Sequence, residues 1–184
     1  MKKVIVSLAA VAAFVSGAAF ADSVTFGAHV GDSDQRYYEL SLSHPVVGTN
    51  FVVGGQAETE QASSNALLSQ KYSASLGYKL VAPWGFSVVP SVEYGVKLVP
   101  GTNDESFYGG GVSVGHQVWG PVSASVAYRY RTNFSGTPVS ENRETASLDW
   151  AVTSRQTVGL TAHTYSGSNP SLVHVFGVSY KYSF

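Results

Sequence analysis

The sequence predicts an all-β fold, a single antiparallel up-and-down transmembrane β-barrel of ten strands, with eight as the alternative count. Three observations predict it. Apolar and small polar residues alternate with period two through successive segments, so each reads as a strand with one face for apolar surroundings and one for water. Only 12% of the 184 residues are charged, well below the ~25% usual in soluble domains. No window carries a sustained i, i+3, i+4 apolar pattern, and none after residue 21 is apolar for long enough to span a bilayer as a helix.

The first residues have a separate logic. Lys2 and Lys3, an apolar run from Val4 to Val15, and Ala19-Phe20-Ala21 together predict a cleavable secretory signal peptide over 1–21, leaving the barrel over 22–184. Without those two lysines, the 12 acidic residues outnumber the remaining basic ones, so nucleic acid is not an expected partner. Cysteine is absent, which excludes a disulfide framework and any Cys-ligated metal. No histidine or carboxylate spacing suits a metal ion, and no cofactor is expected.

The strands follow in order. Ser23–Val30 turns Val24, Phe26, Ala28 and Val30 to one face and Thr25, Gly27 and His29 to the other. After a turn at 31–34, Gln35–His44 puts Tyr38, Leu40 and Leu42 outward and Tyr37, Glu39, Ser41 and Ser43 inward. Phe51–Glu60 sends Val52, Gly54, Gln56 and Glu58 inward. Gln70–Val81 alternates Tyr72, Ala74, Leu76, Tyr78 and Leu80 against Lys71, Ser73, Ser75, Gly77 and Lys79. Phe86–Val99 carries Glu93 and Lys97 inward, and its Pro90 predicts a bulge or a lost ladder bond. Ser106–Val118 is glycine-rich inside, at Gly109, Gly111 and Gly115. The seventh strand, from Val122, faces Arg129 and Arg131 inward. A loop is expected over 133–142, then Arg143–Val152 with Asp149 inside, and Gln156–Tyr165 with His163 inside.

The tenth strand is the most informative. Phe176, Val178, Tyr180, Tyr182 and Phe184 share one face, opposite Gly177, Ser179, Lys181 and Ser183. This terminal phenylalanine, with hydrophobic residues at every second position before it, resembles the assembly signature of bacterial outer-membrane β-barrels. The resemblance implies a Gram-negative outer-membrane location, contact with outer-membrane lipid and lipopolysaccharide, recognition by the barrel-assembly machinery through Phe184, and a monomer. Aromatic residues cluster toward strand ends, with Trp84, Phe86, Trp119 and Tyr182 at one end and Tyr72, Tyr108 and Tyr130 at the other, as in an interfacial girdle. As an expected result, Tyr180→Asp impairs assembly much more than Ser179→Asp, measured by heat-modifiable folding.

The candidate functional residues are the inward charges Glu39, Glu58, Lys79, Glu93, Lys97, Arg129, Arg131, Asp149 and Lys181. With Lys71 and Arg143 near the outer rim, they predict a modestly basic lumen. Two mechanisms follow: the charges pair across the barrel and plug it, or they line a narrow path that favours anions. Arg129-x-Arg131 is similar to the arginine tracks of oligogalacturonate-type and sialic-acid-type small porins, which implies acidic solutes. His163-Thr164-Tyr165-Ser166 is similar to the His/Ser pair of outer-membrane lipid A deacylases. Here, however, the serine faces away from His163 on an extended strand, and no acid follows Asp149. No enzyme is therefore expected and no catalytic residue is assigned. Acidic residues expected at loop tips, Asp32, Asp34, Asp104, Glu105 and Glu141, read as solvated charges. The expected function is a small outer-membrane barrel with a polar, charge-paired lumen, a structural or surface protein or a narrow channel. The alternatives are an anion-favouring porin for small acidic solutes and, more remotely, a lipid A-modifying hydrolase.

Overall fold

The structure is a computed structural model that describes residues 22–32, 34–133, 139–168 and 172–184. The expected signal peptide, 1–21, lies outside the described residues. The strands are β1 (Ser23–Gly31), β2 (Arg36–Pro45), β3 (Phe51–Gln61), β4 (Leu67–Tyr78, continued by Leu80–Val81), β5 (Ser87–Leu98), β6 (Glu105–Trp119), β7 (Val122–Asn133), β8 (Ser140–Ala151), β9 (Gln156–Gly167) and β10 (Val173–Ser183). Each pairs antiparallel with its sequence neighbours, and β1 pairs with β10 from Ser23↔Ser183 to Gly31↔Val175. The sheet thus closes on itself with ten strands. Closure leaves no edge N–H or C=O to face hydrocarbon, where each unpaired group costs several kcal/mol.

The period-two pattern fixes which residues face out. Apolar side chains lie on the outer surface: Leu160 is 62% exposed and Phe176 63%, and their cross-strand neighbours Val178, Leu148 and Ala162 share that surface. The fully buried apolar residues among those described are Phe107 and Val175, both inside the barrel. This is the inverse of a soluble fold and suits lipid outside. The terminal aromatics pack edge to face, Tyr182 against Phe184 at 5.2 Å. On the inner side Ser179 shares a cavity with Asp149, so an Asp at 179 would add a second carboxylate there. Ser179→Asn is therefore the cleaner partner for the Tyr180→Asp comparison.

Pro90 behaves as a proline in a paired strand must. The β4–β5 ladder stops at Gly77↔Ser91 and resumes in the same register at Leu80↔Val88, while β5–β6 pairing runs unbroken through Pro90↔Val112. The outcome is a lost stretch of ladder rather than a bulge, because proline has no N–H to donate. Register shifts occur elsewhere, at Glu60/Gln61 and Gln117/Trp119. Several expected boundaries move by a few residues, and one changes the lumen: β8 begins at Ser140, inside the segment read as a loop, so the alternation of its inward face starts at Glu141.

Candidate functional site: a charge network across the lumen

Parity along each strand sends Glu39, Glu58, Lys71, Glu93, Arg129, Arg131, Glu141 and Arg143 into the half of the barrel away from the chain termini. Along the wall, like charges sit directly across the ladder: Glu39↔Glu58 on β2–β3 and Arg129↔Arg143 on β7–β8. Such pairs repel if left alone. The barrel resolves this across the lumen, where the carboxylates of one wall meet the guanidinium groups of the other.

Arg131 is the centre, only 4% exposed. Its Nε and Nη2 donate to the two carboxylate oxygens of Glu93 at 2.7 and 2.8 Å, a bidentate pair, and Nη1 donates to Glu58 at 2.9 Å. Its guanidinium carbon lies 4.7 Å from the centre of the Phe107 ring. Phe107 has room because Gly95 stands across the ladder; a Cβ at Gly95 would lie 2.9 Å from Phe107 Cε1. Arg129 donates to Glu58 at 2.8 Å, and Gln56 Oε1 accepts from both Arg129 and Arg131. Arg143 donates to Glu39 at 2.9 Å and to Glu58 at 3.2 Å. Lys71 closes the network on Glu141. Charge-assisted, partly bidentate bonds of this kind are the strong ones.

Four carboxylates meet three arginines and one lysine, so the network is balanced by charge. Within the network, the basic excess expected from the sequence is absent. The difference comes from Glu141: expected at a loop tip, it lies instead on β8 and binds Lys71. Glu105 likewise begins β6 and accepts from Asn133 Nδ2 at 2.8 Å. Of the nine inward charges expected from the sequence, Glu39, Glu58, Glu93, Arg129 and Arg131 join the network. Lys97 lines the cavity beyond it, Asp149 and Lys181 line the cavity nearer the termini, and Lys79 is exposed where β4 breaks opposite Pro90. The sequence reading missed Phe107 and the partnership of Gln56. Both were signalled by parity, Phe107 by standing two residues before Gly109 and Gln56 by standing two before Glu58.

Two cavities of about 350 Å³ flank the network. The outer one is bordered by strand ends and by Tyr37 and Tyr165, whose rings stack at 5.8 Å. The inner one is lined by hydroxyls, among them Thr25, Ser123, Ser147, Thr157 and Ser179. His29 and Glu39 border both. His29 on β1 meets His163 on β9, Nε2 to Nε2 at 3.3 Å, and Thr145 Oγ1 lies 2.9 Å from His163 Nδ1. β10 runs between these two strands, and the rings meet over it because Gly177 stands across from His29 without a side chain. A Cβ at Gly177 would overlap the His29 ring.

No family model matches the chain, and no curated protein matches it. Among solved structures the barrel is similar to the NanC porin, with TM-score 0.56 at 9% identity, covering 88% of this chain and 100% of that one. It is also similar to the β-domain of the Bordetella autotransporter BrkA, with TM-score 0.55 at 10% identity, covering 88% and 97%. These likenesses are of fold: the chain has the architecture of outer-membrane β-barrels, porins among them.

Proposed function

We propose that the protein is an outer-membrane barrel whose lumen is closed at rest, a structural or surface component of that membrane rather than an open pore. The observation that carries this reading is the charge-balanced network. It spans the lumen from β2, β3 and β5 to β7 and β8 and leaves each of its arginines facing a carboxylate. Ten strands give a narrow interior, between the ~8 that side chains fill and the ~16 of water-filled porins. An anion-favouring porin would need cationic side chains free to meet a solute, and Arg129, Arg131 and Arg143 are held by Glu58, Glu93 and Glu39. A non-catalytic role is supported by His163, whose two ring nitrogens face Thr145 and His29 rather than a serine. The apolar outer surface suits lipid and lipopolysaccharide, and the exposed Phe184 suits recognition during assembly.

The test is planar-bilayer recording at neutral pH with the protein purified from cell envelopes expressing the full chain. The expected result is a folded, inserted and electrically silent barrel. Steady current steps at neutral pH would overturn the closed-lumen reading, and anion preference in those steps would favour the porin instead.

A further inference from the structure

The two cavities are separated by very little. His29 and Glu39 border both, so the wall between outer and inner space is one side chain thick at that point. Glu39 is held there by Arg143, and His29 by His163. The second contact has a chemical peculiarity. An Nε2···Nε2 hydrogen bond requires one nitrogen to carry a proton and the other to be bare. A pair with one added proton still satisfies this, since the charged ring donates to Thr145 and to its neutral partner. A pair with two added protons does not, because two N–H groups and two positive charges then face each other.

We propose that the His29–His163 contact is a proton-operated gate that gives the barrel a further activity, an acid-opened path for small ions between its two cavities. This rests on the closed-lumen reading. The protons come from water in the cavities, and no bond other than N–H forms. The groups around the pair set the direction of the response: Glu39 and Tyr37 on β2, Glu58 on β3, Arg129 on β7, Arg143 on β8 and Tyr165 on β9. β10 contributes Gly177 and Val175 there, neither of which titrates. With both imidazoles charged, they repel each other and the guanidinium of Arg143, and they compete with Arg143 for Glu39. The two contacts that close the wall thus weaken together. His29 has somewhere to go, because its ring lies over Gly27 and Gly177 with no side chain on either to hold it in place.

The experiment is planar-bilayer recording of the same purified protein at about pH 7.5 and about pH 3, the second well below the ordinary imidazole range. Wild type is expected to be silent at the higher pH, with open events at least about tenfold more frequent at the lower. His29→Gln and His163→Gln, which fill the space without accepting a proton, are expected to stay silent at both. Silence of wild type at acid pH overturns the gate and leaves the closed-lumen reading standing; currents already present at neutral pH overturn that reading itself. Acid currents that persist unchanged in both Gln variants also overturn the gate. Imidazole ¹⁵N NMR of wild type provides a readout that needs no variant to fold: the Nε2–Nε2 hydrogen-bond signature is expected to vanish over the same pH interval in which currents appear. Its persistence through that interval overturns the proposal.

Discussion

Replacing Arg131 with Leu is expected to destabilise the barrel by about 3–5 kcal/mol, the usual cost of removing one partner from a buried ion pair. The physical reason is asymmetric. Arg131 binds Glu93 through two donors and Glu58 through a third, so its loss leaves two largely buried carboxylates with fewer cations to balance them. Gln56 also loses a donor, and Phe107 the cation over its ring. Urea unfolding of wild type and variant in lipid vesicles measures this. The companion variant Glu93→Leu should be costly too, while the double variant should cost less than the sum, because neighbours in one network are not additive. A loss from Arg131→Leu within about 0.5 kcal/mol, as for an ordinary surface site, would show that the network is open to water.

The second large effect belongs to the outer surface. Leu160→Arg is expected to cost about 2–4 kcal/mol, the penalty for a cation on the lipid face near the bilayer midplane. Leu160 is exposed and sits between Leu148 and Val178 on neighbouring strands. In a water-soluble barrel the same change would put a charge into solvent at almost no cost. The size of the effect therefore measures what surrounds the protein. Refolding yield into vesicles, followed by urea titration, distinguishes the two environments.

Much of the fold is legible in the sequence because a strand has a strict period of two. Tyr72, Ala74, Leu76 and Tyr78 against Lys71, Ser73, Ser75 and Gly77 cannot be read on any other period, and the same parity turns Glu58 and Arg129 to one common interior. Parity says which face a residue occupies. It does not say which residues meet across the lumen, since that depends on strand count and stagger together. Glu58 therefore reads from the sequence as one inward charge among several, whereas in the structure it bonds to Arg129, Arg131 and Arg143. Glu141 was obscured for a local reason. Gly136 and Pro138 are residue types that signal a turn, and a loop read from the sequence as far as Asn142 takes Glu141 out of the strand and with it the charge that balances the network. His29 and His163 belong to strands that are not adjacent, and their contact depends on the missing side chain of Gly177 between them, which alternation does not reveal.

The placement of like charges along each wall also orders events in time. Glu39 and Glu58 lie on one hairpin, Arg129 on the strand beside Arg143 on another, and Glu39 is separated from Arg143 by 104 residues of chain. Hairpins form in microseconds, whereas contacts this distant wait for loop closure. During that wait each like pair is only partly offset, Glu58 by Lys71 across the β3–β4 ladder and the arginines by Glu141 opposite Arg131. The bonds from Glu58 to the arginines and from Glu39 to Arg143 arrive later, when the two walls face each other. The cross-lumen bonds thus come late in assembly and hold together walls that the hairpins have already formed.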